Sequence, residues 1–458
     1  MTSTTHEWRP DVAAHDGPKY LAVLHALERD IQSGALMPGD RLPPQRQVAD
    51  LFGVTISTIT KAFAEATRRG LVNATPGSGT FVAAKPSEFQ GANPFVEMGI
   101  NLIPHALCED QLKSCLRDYV ERTSASDMLR YAGYRLLPAS PGRRFAEWLI
   151  AQGFPLDDGA ILTCNGTQQG LVAAFQCLAA PGETVLCEAL TYSGILRIID
   201  QLGLAAHGIA MDGEGMRPDA LERALVETGA RLVVVTPTAQ NPTGATMSDD
   251  RRRAIAACVE KHDAFLIEDA VAAPLTGIDR PSIASFAPQR CVYLTGASKC
   301  LAPGVRFGLL RVPEVLVSTI EQGLTATNWT GPAYFAGFAD IVVESGAVDR
   351  IVSLYRTDAA ARQELARRHL GGVPASTIAY HYWVDLPAAM SAASLVAEAA
   401  GANMHLTPAT PFSCPNVVAP NALRVCLGAE TRIDSLEGGL KRLAHLLTKS
   451  RPPAVPVI

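Results

Sequence analysis

Cysteine patterns that bind metals or form disulfides are missing from this 458-residue sequence. Its 10 cysteines are scattered, no two of them form a Cys-x-x-Cys pair, and no His-Glu-x-x-His motif accompanies them. These absences argue against a zinc site and against a disulfide framework. They indicate free thiols in a reducing compartment.

Long apolar runs are also missing. No stretch of 18 apolar residues occurs, so the sequence predicts no membrane-spanning helix. The first residues, MTSTTHEWRP, lack the basic start and apolar core of a signal peptide. We therefore expect a cytoplasmic protein without a membrane partner.

Basic charge is not in excess, because 40 Lys and Arg face 45 Asp and Glu for a formal net charge of −5. A basic coat for nucleic acid is thus excluded, and any DNA-binding surface must be local. Apolar residues make up 48% of the chain, which is enough for a large core and excludes wholesale disorder. The length favours one small unit plus one large α/β unit.

Residues 17–84 carry a helical pattern that ends in a glycine-rich hairpin. Apolar spacing and breakers predict a helix, a helix-turn-helix and a β-wing, the order of a groove-binding unit. The predicted elements are a helix over 19–33, a helix over Gln45–Phe52, a turn at Gly53, a helix from Thr55 to about Arg69, and strands 71–75 and 80–83 around Pro76-Gly77-Ser78-Gly79.

The phrases SGALMPGDRLPPQRQVADLFGV and RRGLVNATPGSGTFVA resemble the winged helix-turn-helix of the GntR family of bacterial transcription regulators. The resemblance implies operator DNA as a partner, with the second helix of the motif in the major groove and the wing against the backbone. A small helical domain for protein contacts is the alternative, because residues 37–84 carry a charge of only +2. The DNA-binding residues that the resemblance implies are Arg41, Arg46, Ser57, Thr58, Thr60, Lys61, Gly77 and Gly79.

A second region begins after residues 85–97, KPSEFQGANPFVE, which we expect to be a linker. From 98 to 449 apolar strands alternate with helices, a pattern typical of a mostly parallel sheet. Asn241, Asp269 and Lys299 each follow a predicted strand and are separated by 28 and 30 residues. We expect them to meet at the carboxyl edge of the sheet, where α/β proteins bind ligands.

The segment ASKCLAPGVRFGLL carries the strongest chemical signal. Lys299 is an amine for a cofactor aldehyde, and Ser298 and Arg306 flank it as groups for a phosphate. With PTAQNPTG and the strand that ends at Asp269, these motifs resemble the fold-type I pyridoxal 5'-phosphate (PLP) enzymes of the aminotransferase class. Over roughly 19–445, the whole chain resembles the MocR subgroup of GntR regulators.

The resemblance implies an α/β fold in which an N-terminal winged helix-turn-helix precedes a large aminotransferase-like domain with a mostly parallel sheet. A smaller C-terminal α+β subdomain completes it. The cofactor implied is pyridoxal 5'-phosphate, and the assembly implied is a homodimer with the cofactor at its interface.

Residue roles follow from the same resemblance. Lys299 would carry the cofactor as an internal aldimine, Asp269 would pair with the pyridine nitrogen, and Asn241 would bond the ring 3'-oxygen. Tyr192 would stack on the ring, although packing is an alternative. The residues implied for the phosphate are Gly166, Thr167, Gln168, Ser298 and Arg306.

On the substrate side, Arg424 in NALRVCLG would clamp a carboxylate. Tyr131 is a further candidate for touching the site, with core packing as its alternative. Two positions depart from the family pattern. The usual tyrosine near Asp269 is replaced around Val271, and Gly296 stands where Thr or Ser is frequent, so that Thr295 is the substitute candidate for that phosphate contact.

Two functions are compatible with these motifs. The first is a PLP-dependent transcriptional regulator that senses an amino compound or B6 vitamer through aldimine chemistry at Lys299. The alternative is an active aminotransferase acting on an amino acid, with the DNA-binding domain secondary. The missing tyrosine and the intact DNA-binding motif favour the regulator, which would retain at most partial transaminase activity.

Overall fold

The computed structural model describes residues 8, 19–33, 35–36, 40–68, 71–75, 79–82, 94–156, 159–277, 280–371 and 378–449. The chain divides into two compact units, Met1–Pro94 and Phe95–Ile458. Within the described ranges, no helix combines the length and apolar character needed to cross a membrane.

The first unit has the helix-turn-helix and wing that the sequence predicts. Its elements are α1 (Lys19–Gln32), α2 (Gln45–Phe52), α3 (Ile56–Arg68), β1 (Val72–Thr75) and β2 (Gly79–Val82). The turn between α2 and α3 is tight because Gly53 adopts φ 58°, a left-handed conformation that glycine accepts without strain.

A single apolar cluster holds this unit together. α1 packs across α3, and the side chains of Leu24, Leu27, Val48 and Ile59 are almost completely buried between the helices. The strands β1 and β2 pair in antiparallel register from Val72↔Val82 to Thr75↔Gly79. The packed helices therefore fix the outward face of α3.

The second unit alternates strands and helices. Its strands are β3 (Val96–Glu97), β4 (Ala160–Cys164), β5 (Thr184–Glu188), β6 (Ala205–Ile209), β7 (Met211–Asp212), β8 (Gly215–Met216), β9 (Leu232–Val235), β10 (Phe265–Asp269), β11 (Cys291–Gly296), β12 (Gly308–Val312), β13 (His381–Asp385), β14 (Met404–His405), β15 (Thr407–Pro408) and β16 (Ala422–Cys426).

Helices separate most of these strands. They are α4 (Glu109–Arg122), α5 (Ala125–Leu129), α6 (Arg143–Ala151), α7 (Thr167–Leu178), α8 (Ser193–Gln201), α9 (Pro218–Thr228), α10 (Asp249–Lys261), α11 (Ala273–Thr276), α12 (Ile283–Phe286), α13 (Val317–Thr327), α14 (Ala333–Glu344), α15 (Ala347–Leu370), α16 (Ala392–Gly401) and α17 (Ile433–Lys449).

The central sheet has seven strands in the described part of the chain, in the order β4-β12-β11-β10-β9-β5-β6. Neighbouring strands from β11 to β6 are parallel, and β12 is antiparallel to both β11 and β4. One face of the sheet packs against α9, α10, α14 and α15, and the other packs against α7, α8 and α13. The mostly parallel sheet expected from the sequence is confirmed.

A smaller α+β subdomain follows, as predicted. Its antiparallel sheet has the order β13-β16-β15, and its core includes Leu395, Leu436 and Leu440. The predicted linker ends differently, because Val96 and Glu97 form β3 and pair in parallel with Met404 and His405. The second unit thus begins at Phe95 rather than 98.

Arg362 ties α15 to the loop after β16. Its guanidinium is buried, pairs with Asp358, and donates to the carbonyl oxygens of Leu427 and Glu430 at 2.7 and 2.6 Å and of Thr431 at 3.0 Å. A buried guanidinium is stable only when its donors are satisfied in this way.

We predict that Arg362→Leu lowers the free energy of unfolding by about 2–4 kcal/mol, because Asp358 and these carbonyls lose their partner. Arg368→Leu, on the exposed side of the same helix, is the control and should change stability little. Urea unfolding followed by fluorescence measures both. Equal stabilities of the two variants would contradict this role of Arg362.

Candidate functional site

The amino end of α3 presents a set of hydroxyl groups. Thr55 precedes the helix, and its Oγ1 lies 2.8 Å from the hydroxyls of both Ser57 and Thr58. Thr60 donates to Gln45 Oε1 at 2.8 Å and so joins α3 to α2. Ser57 and Thr60 are exposed, whereas Thr58 is half-buried. The structure therefore offers Ser57 and Thr60 to a ligand more fully than Thr58.

The predicted cationic residues lie around this helix and the wing. Lys61 is exposed and its Nζ lies 4.2 Å from the centre of the Tyr20 ring. The backbone of Arg41 forms an antiparallel β-bridge with Phe81 of the wing. Its side chain lies over Gly79, where a Cβ would be 2.9 Å from Arg41 Nε. Arg46 is exposed on α2. Gly77 falls outside the described residues.

A cavity of about 700 Å³ opens in the second unit at the carboxyl ends of the parallel strands. Nine of the predicted site residues line it, together with an apolar wall. The predicted residues are Thr167, Gln168, Tyr192, Asn241, Asp269, Ser298, Lys299, Arg306 and Arg424, with Gly166 directly behind Arg306; the wall includes Ile100, Leu102, Val271, Leu275, Ile378 and Phe412.

Lys299 and Asp269 are the charged groups at the centre. Lys299 lies in a 3-10 turn after β11, and its Nζ donates to the carbonyl oxygen of Asn101 at 2.6 Å. Burial lowers the pKa of Lys299 to about 8, with Arg424 acting in the same direction. Burial raises the pKa of Asp269 to about 6, although the Val271 N–H bonds its carboxylate at 3.2 Å. An amine with a lowered pKa is available as a nucleophile near neutral pH.

Asn241 and Arg424 form a pair across the cavity. Arg424 Nη1 donates to Asn241 Oδ1 at 2.9 Å, and Nη2 donates to the carbonyl oxygen of Gly99 at 2.5 Å. The guanidinium also lies 4.6 Å from the centre of the Phe412 ring. Its buried Nε has no hydrogen-bond partner among the described residues. A buried guanidinium with a spare donor is suited to a carboxylate.

An anion cradle lies at the start of α7. Gly166 precedes the helix with φ 80°, and a Cβ there would lie only 2.3 Å from Arg306 Nη2. Thr167 and Gln168 form the first turn, whose amide groups lack intrahelical partners. Ser298 and the half-buried Arg306 face the same space. Helix amides and a guanidinium together are a setting for phosphate.

Tyr192 forms one wall of the cavity at the amino end of α8. The ring fits closely over Gly194, where a Cβ would lie 2.3 Å from Tyr192 Cε1. Burial raises the pKa of the Tyr192 hydroxyl. The ring is therefore held rigidly beside the space between Asp269 and Lys299.

The structure shows the consequence of one departure from the family pattern, at Val271, and the steric reason for the other, at Gly296. Val271 lines the cavity without a polar side chain, so this position offers no hydrogen bond to a ligand. At Gly296, a Cβ would lie 2.7 Å from the Phe307 carbonyl oxygen, so a Thr or Ser would collide with β12. Thr295 does not substitute for it, because its buried hydroxyl donates to the carbonyl oxygen of Ala270.

Tyr131 does not join these residues within one copy of the chain. Its side chain is 78% exposed, and it is not among the residues that line the cavity. The neighbouring Ala132 bonds the loop at Thr330 and Gly331, which directs Tyr131 outward.

The cavity also contains two polar residues that the motifs do not single out. His381 is buried, accepts from Asn101 Nδ2 at 3.3 Å through Nδ1, and donates from Nε2 to the carbonyl oxygen of Gln240 at 2.9 Å. Burial lowers the pKa of His381 to about 4, which keeps the ring neutral. A lone His in the strand HYWVD and a lone Asn in a loop carry no motif signal.

Comparisons with known proteins cover both units. The family model "Bacterial regulatory proteins, gntR family" matches residues 19–82, and "Aminotransferase class I and II" matches 93–443. The HTH-type transcriptional regulator YdeF of Bacillus subtilis is 31% identical over 453 residues, which is 96% of each chain.

The chain belongs to the MocR subgroup of the GntR family.

This MocR regulator is also similar to the vitamin B6 salvage pathway transcriptional repressor PtsJ of Salmonella typhimurium. The two are 28% identical over 330 residues, covering 69% of this chain and 72% of that protein. Because YdeF matches 96% of the chain and both relatives are named as transcriptional regulators, regulation of transcription is favoured over the enzyme alternative.

The fold of the MocR regulator's second unit is that of solved aminotransferases. Pyrococcus horikoshii kynurenine aminotransferase, solved in complex with PMP, superposes with a TM-score of 0.71 at 22% identity. The match covers 79% of this chain and 93% of that one. The unit therefore has the fold in which PLP-type cofactors are bound.

We predict that Gly166→Ala weakens the affinity of this regulator for inorganic phosphate by about tenfold, the effect of losing one charge-assisted hydrogen bond. The added methyl group would displace Arg306, and φ 80° would strain the backbone. Gly133→Ala is the control, because no atom lies within 4 Å of its Cβ position. Titration calorimetry with phosphate compares them, and equal affinities would contradict the cradle.

Proposed function

We propose that this regulator binds pyridoxal 5'-phosphate at Lys299 and changes its affinity for operator DNA when an amino compound or a B6 vitamer occupies the same cavity. The observation that carries the proposal is the meeting of Lys299, Asp269 and Arg424 in one cavity beside an anion cradle. The similarity to a repressor of vitamin B6 salvage supports it.

The donor set fits each part of this cofactor. Arg306, which has no hydrogen-bond partner among the described residues, would hold the phosphate with Ser298 and the first turn of α7. The rigid ring of Tyr192 would cover the pyridine ring. Among the described residues, the buried Asp269 carboxylate is bonded to the Val271 amide alone, so a protonated ring nitrogen would supply a cation for it.

When bound, the cofactor supplies an aldehyde that reacts reversibly with amines. Lys299 provides the amine, and its lowered pKa raises the neutral, reactive fraction. Asn241 keeps its amide nitrogen for the ring oxygen, since its Oδ1 already accepts from Arg424. Arg424 would bind an effector carboxylate through its free Nε and its neighbouring Nη donors.

Operator recognition would come from the first unit. Ser57, Thr60 and Lys61 lie at the exposed amino end of α3, where a recognition helix meets base edges and phosphates. Arg46 would add a backbone or guanine contact. Arg41, held over Gly79, would bring the wing to the sugar-phosphate chain.

A second copy of the chain would cover an exposed apolar patch on the second unit. The patch consists of Leu129, Tyr131, Leu137 and Trp329, which are 81, 78, 60 and 75% exposed. Tyr131 and Leu137 line one surface pocket, and Ala132 bonds Gly331 near Trp329. Large side chains exposed together mark an interaction surface, and we infer a homodimer.

Transamination is a second candidate, because Lys299, Asp269, Asn241 and Arg424 together contain the groups that it needs. The apolar Val271 and the full-length similarity to transcriptional regulators favour sensing. Steady production of keto acids from amino acids, without specific DNA binding, would support the enzyme instead.

We predict that Lys299→Ala abolishes the visible absorbance that the protein retains after incubation with pyridoxal 5'-phosphate and desalting, because the amine is removed. Lys113→Ala, a surface lysine paired with Glu109, should retain it. Circular dichroism checks that both variants are folded. Retention of the absorbance by Lys299→Ala would refute this assignment.

We also predict that Lys61→Ala weakens binding to DNA from upstream of the protein's own gene and lowers the slope of log K against log salt by about 1. One released counterion per lost phosphate contact gives this slope. Lys113→Ala again serves as the control in fluorescence anisotropy at several salt concentrations. An unchanged slope would mean that Lys61 does not touch phosphate.

A further inference from the structure

The first loop of the second unit is bound to two of the cationic side chains that line the cavity, Lys299 and Arg424. We call residues 97–101 the entry segment, because they follow the unit boundary between Pro94 and Phe95. Arg424 Nη2 donates to the carbonyl oxygen of Gly99 at 2.5 Å, and Lys299 Nζ donates to that of Asn101 at 2.6 Å. The Arg424 guanidinium and the Lys299 amine, which the proposed function assigns to ligand binding, thus also hold this part of the main chain.

Further bonds fix the two ends of the entry segment. Glu97 accepts from the amide of Gly99 at 2.7 Å and pairs with His405 Nδ1 at 2.8 Å, which anchors the start of the segment to the C-terminal subdomain. At the other end, Asn101 Nδ2 donates to His381, which in turn bonds the Gln240 carbonyl beside Asn241. His381 is therefore a positioning residue for Asn101.

A ligand in the cavity competes with these carbonyl groups. A carboxylate is a stronger acceptor for a guanidinium than a neutral carbonyl, and it prefers two parallel N–H donors. Nη1 of Arg424 is already bonded to Asn241, so a carboxylate that binds through the free Nε and Nη2 competes with Gly99 for Nη2. When a cofactor engages the amine of Lys299, that amine likewise gives up its hydrogen bond to the carbonyl oxygen of Asn101.

We propose that occupancy of the Lys299 site releases the entry segment, and that this release carries the signal toward the DNA-binding unit, with Asn101 and His381 setting the held position. The inference rests on the proposed function for its ligands. A ligand can shift an equilibrium only by its differential affinity for the two states. Here the difference is the loss of two hydrogen bonds from cations to the entry segment.

Hydrogen–deuterium exchange of the full-length protein measures the release directly. Loading with pyridoxal 5'-phosphate, verified by visible absorbance, should accelerate exchange of the amides of residues 99–102. Lys299→Met should do so without any ligand, by about tenfold, the effect of losing a hydrogen bond to a charged donor. Exchange in β11 should stay unchanged.

Two further variants provide a control and an independent test of the release. Lys113→Met makes the same chemical change at an exposed ion pair and should leave residues 99–102 as in the wild type. Asn101→Ala removes only the bond to His381 and should also accelerate exchange there, so the test does not depend on the folding of Lys299→Met. For the signal to DNA, Lys299→Met and Lys113→Met should differ by about fivefold or more in Kd for the upstream DNA.

The outcomes separate this inference from the proposed function. Absence of cofactor uptake would contradict the proposed function, while the two unliganded variants still test the release. If the amides of residues 99–102 exchanged at the unliganded wild-type rate in the loaded protein and in both Lys299→Met and Asn101→Ala, the proposed release of the entry segment would be wrong. Equal Kd values of Lys299→Met and Lys113→Met would overturn its transmission to the DNA-binding unit.

Discussion

The burial of two cations beside a single carboxylate is the constraint on which the second unit depends. Arg424 and Asp269 lie almost entirely out of water and Lys299 is half-buried, in surroundings where an unpaired charge costs several kcal/mol. The chain meets this cost with oxygen atoms from Asn101, Gly99 and Asn241 rather than with further carboxylates. Such neutral acceptors hold the cations weakly enough for an anionic ligand to replace them.

Sheet topology brings these groups together. Asn241, Asp269 and Lys299 follow adjacent parallel strands, so the chain direction alone places them at one edge. Arg424 comes instead from β16 of the C-terminal subdomain. A ligand that joins Lys299 to Arg424 therefore bridges the central sheet and the subdomain, and it acts on how the two are held.

Sequence patterns were sufficient where the signal is local. The helices of the first unit and the strand ends at Asp269 and Lys299 follow from apolar spacing and breakers, and the structure has them in nearly the same places. Patterns do not reveal contacts between distant segments. His381 and Asn101 meet across 280 residues, and Val96–Glu97 looked like linker because a two-residue strand has no periodicity.

Tyr131 and Gly296 show two other reasons why the sequence did not predict every feature of the site. Tyr131 matched a family position, but its orientation depends on the hydrogen bonds of Ala132 with a loop some 198 residues away. Gly296 appeared to be a lost phosphate contact. In the structure, the close approach of the Phe307 carbonyl, just before β12, excludes a side chain there, which only the strand pairing reveals.

The pairing of β3 with β14 has a consequence for biosynthesis. The first unit closes its core from contiguous residues and can complete its fold while the ribosome is still translating the rest. Val96, in contrast, must wait for Met404, more than 300 residues later. A nascent chain therefore carries a folded helix-turn-helix unit long before its second unit is complete, and contacts of such long range make the second unit the slower one to mature.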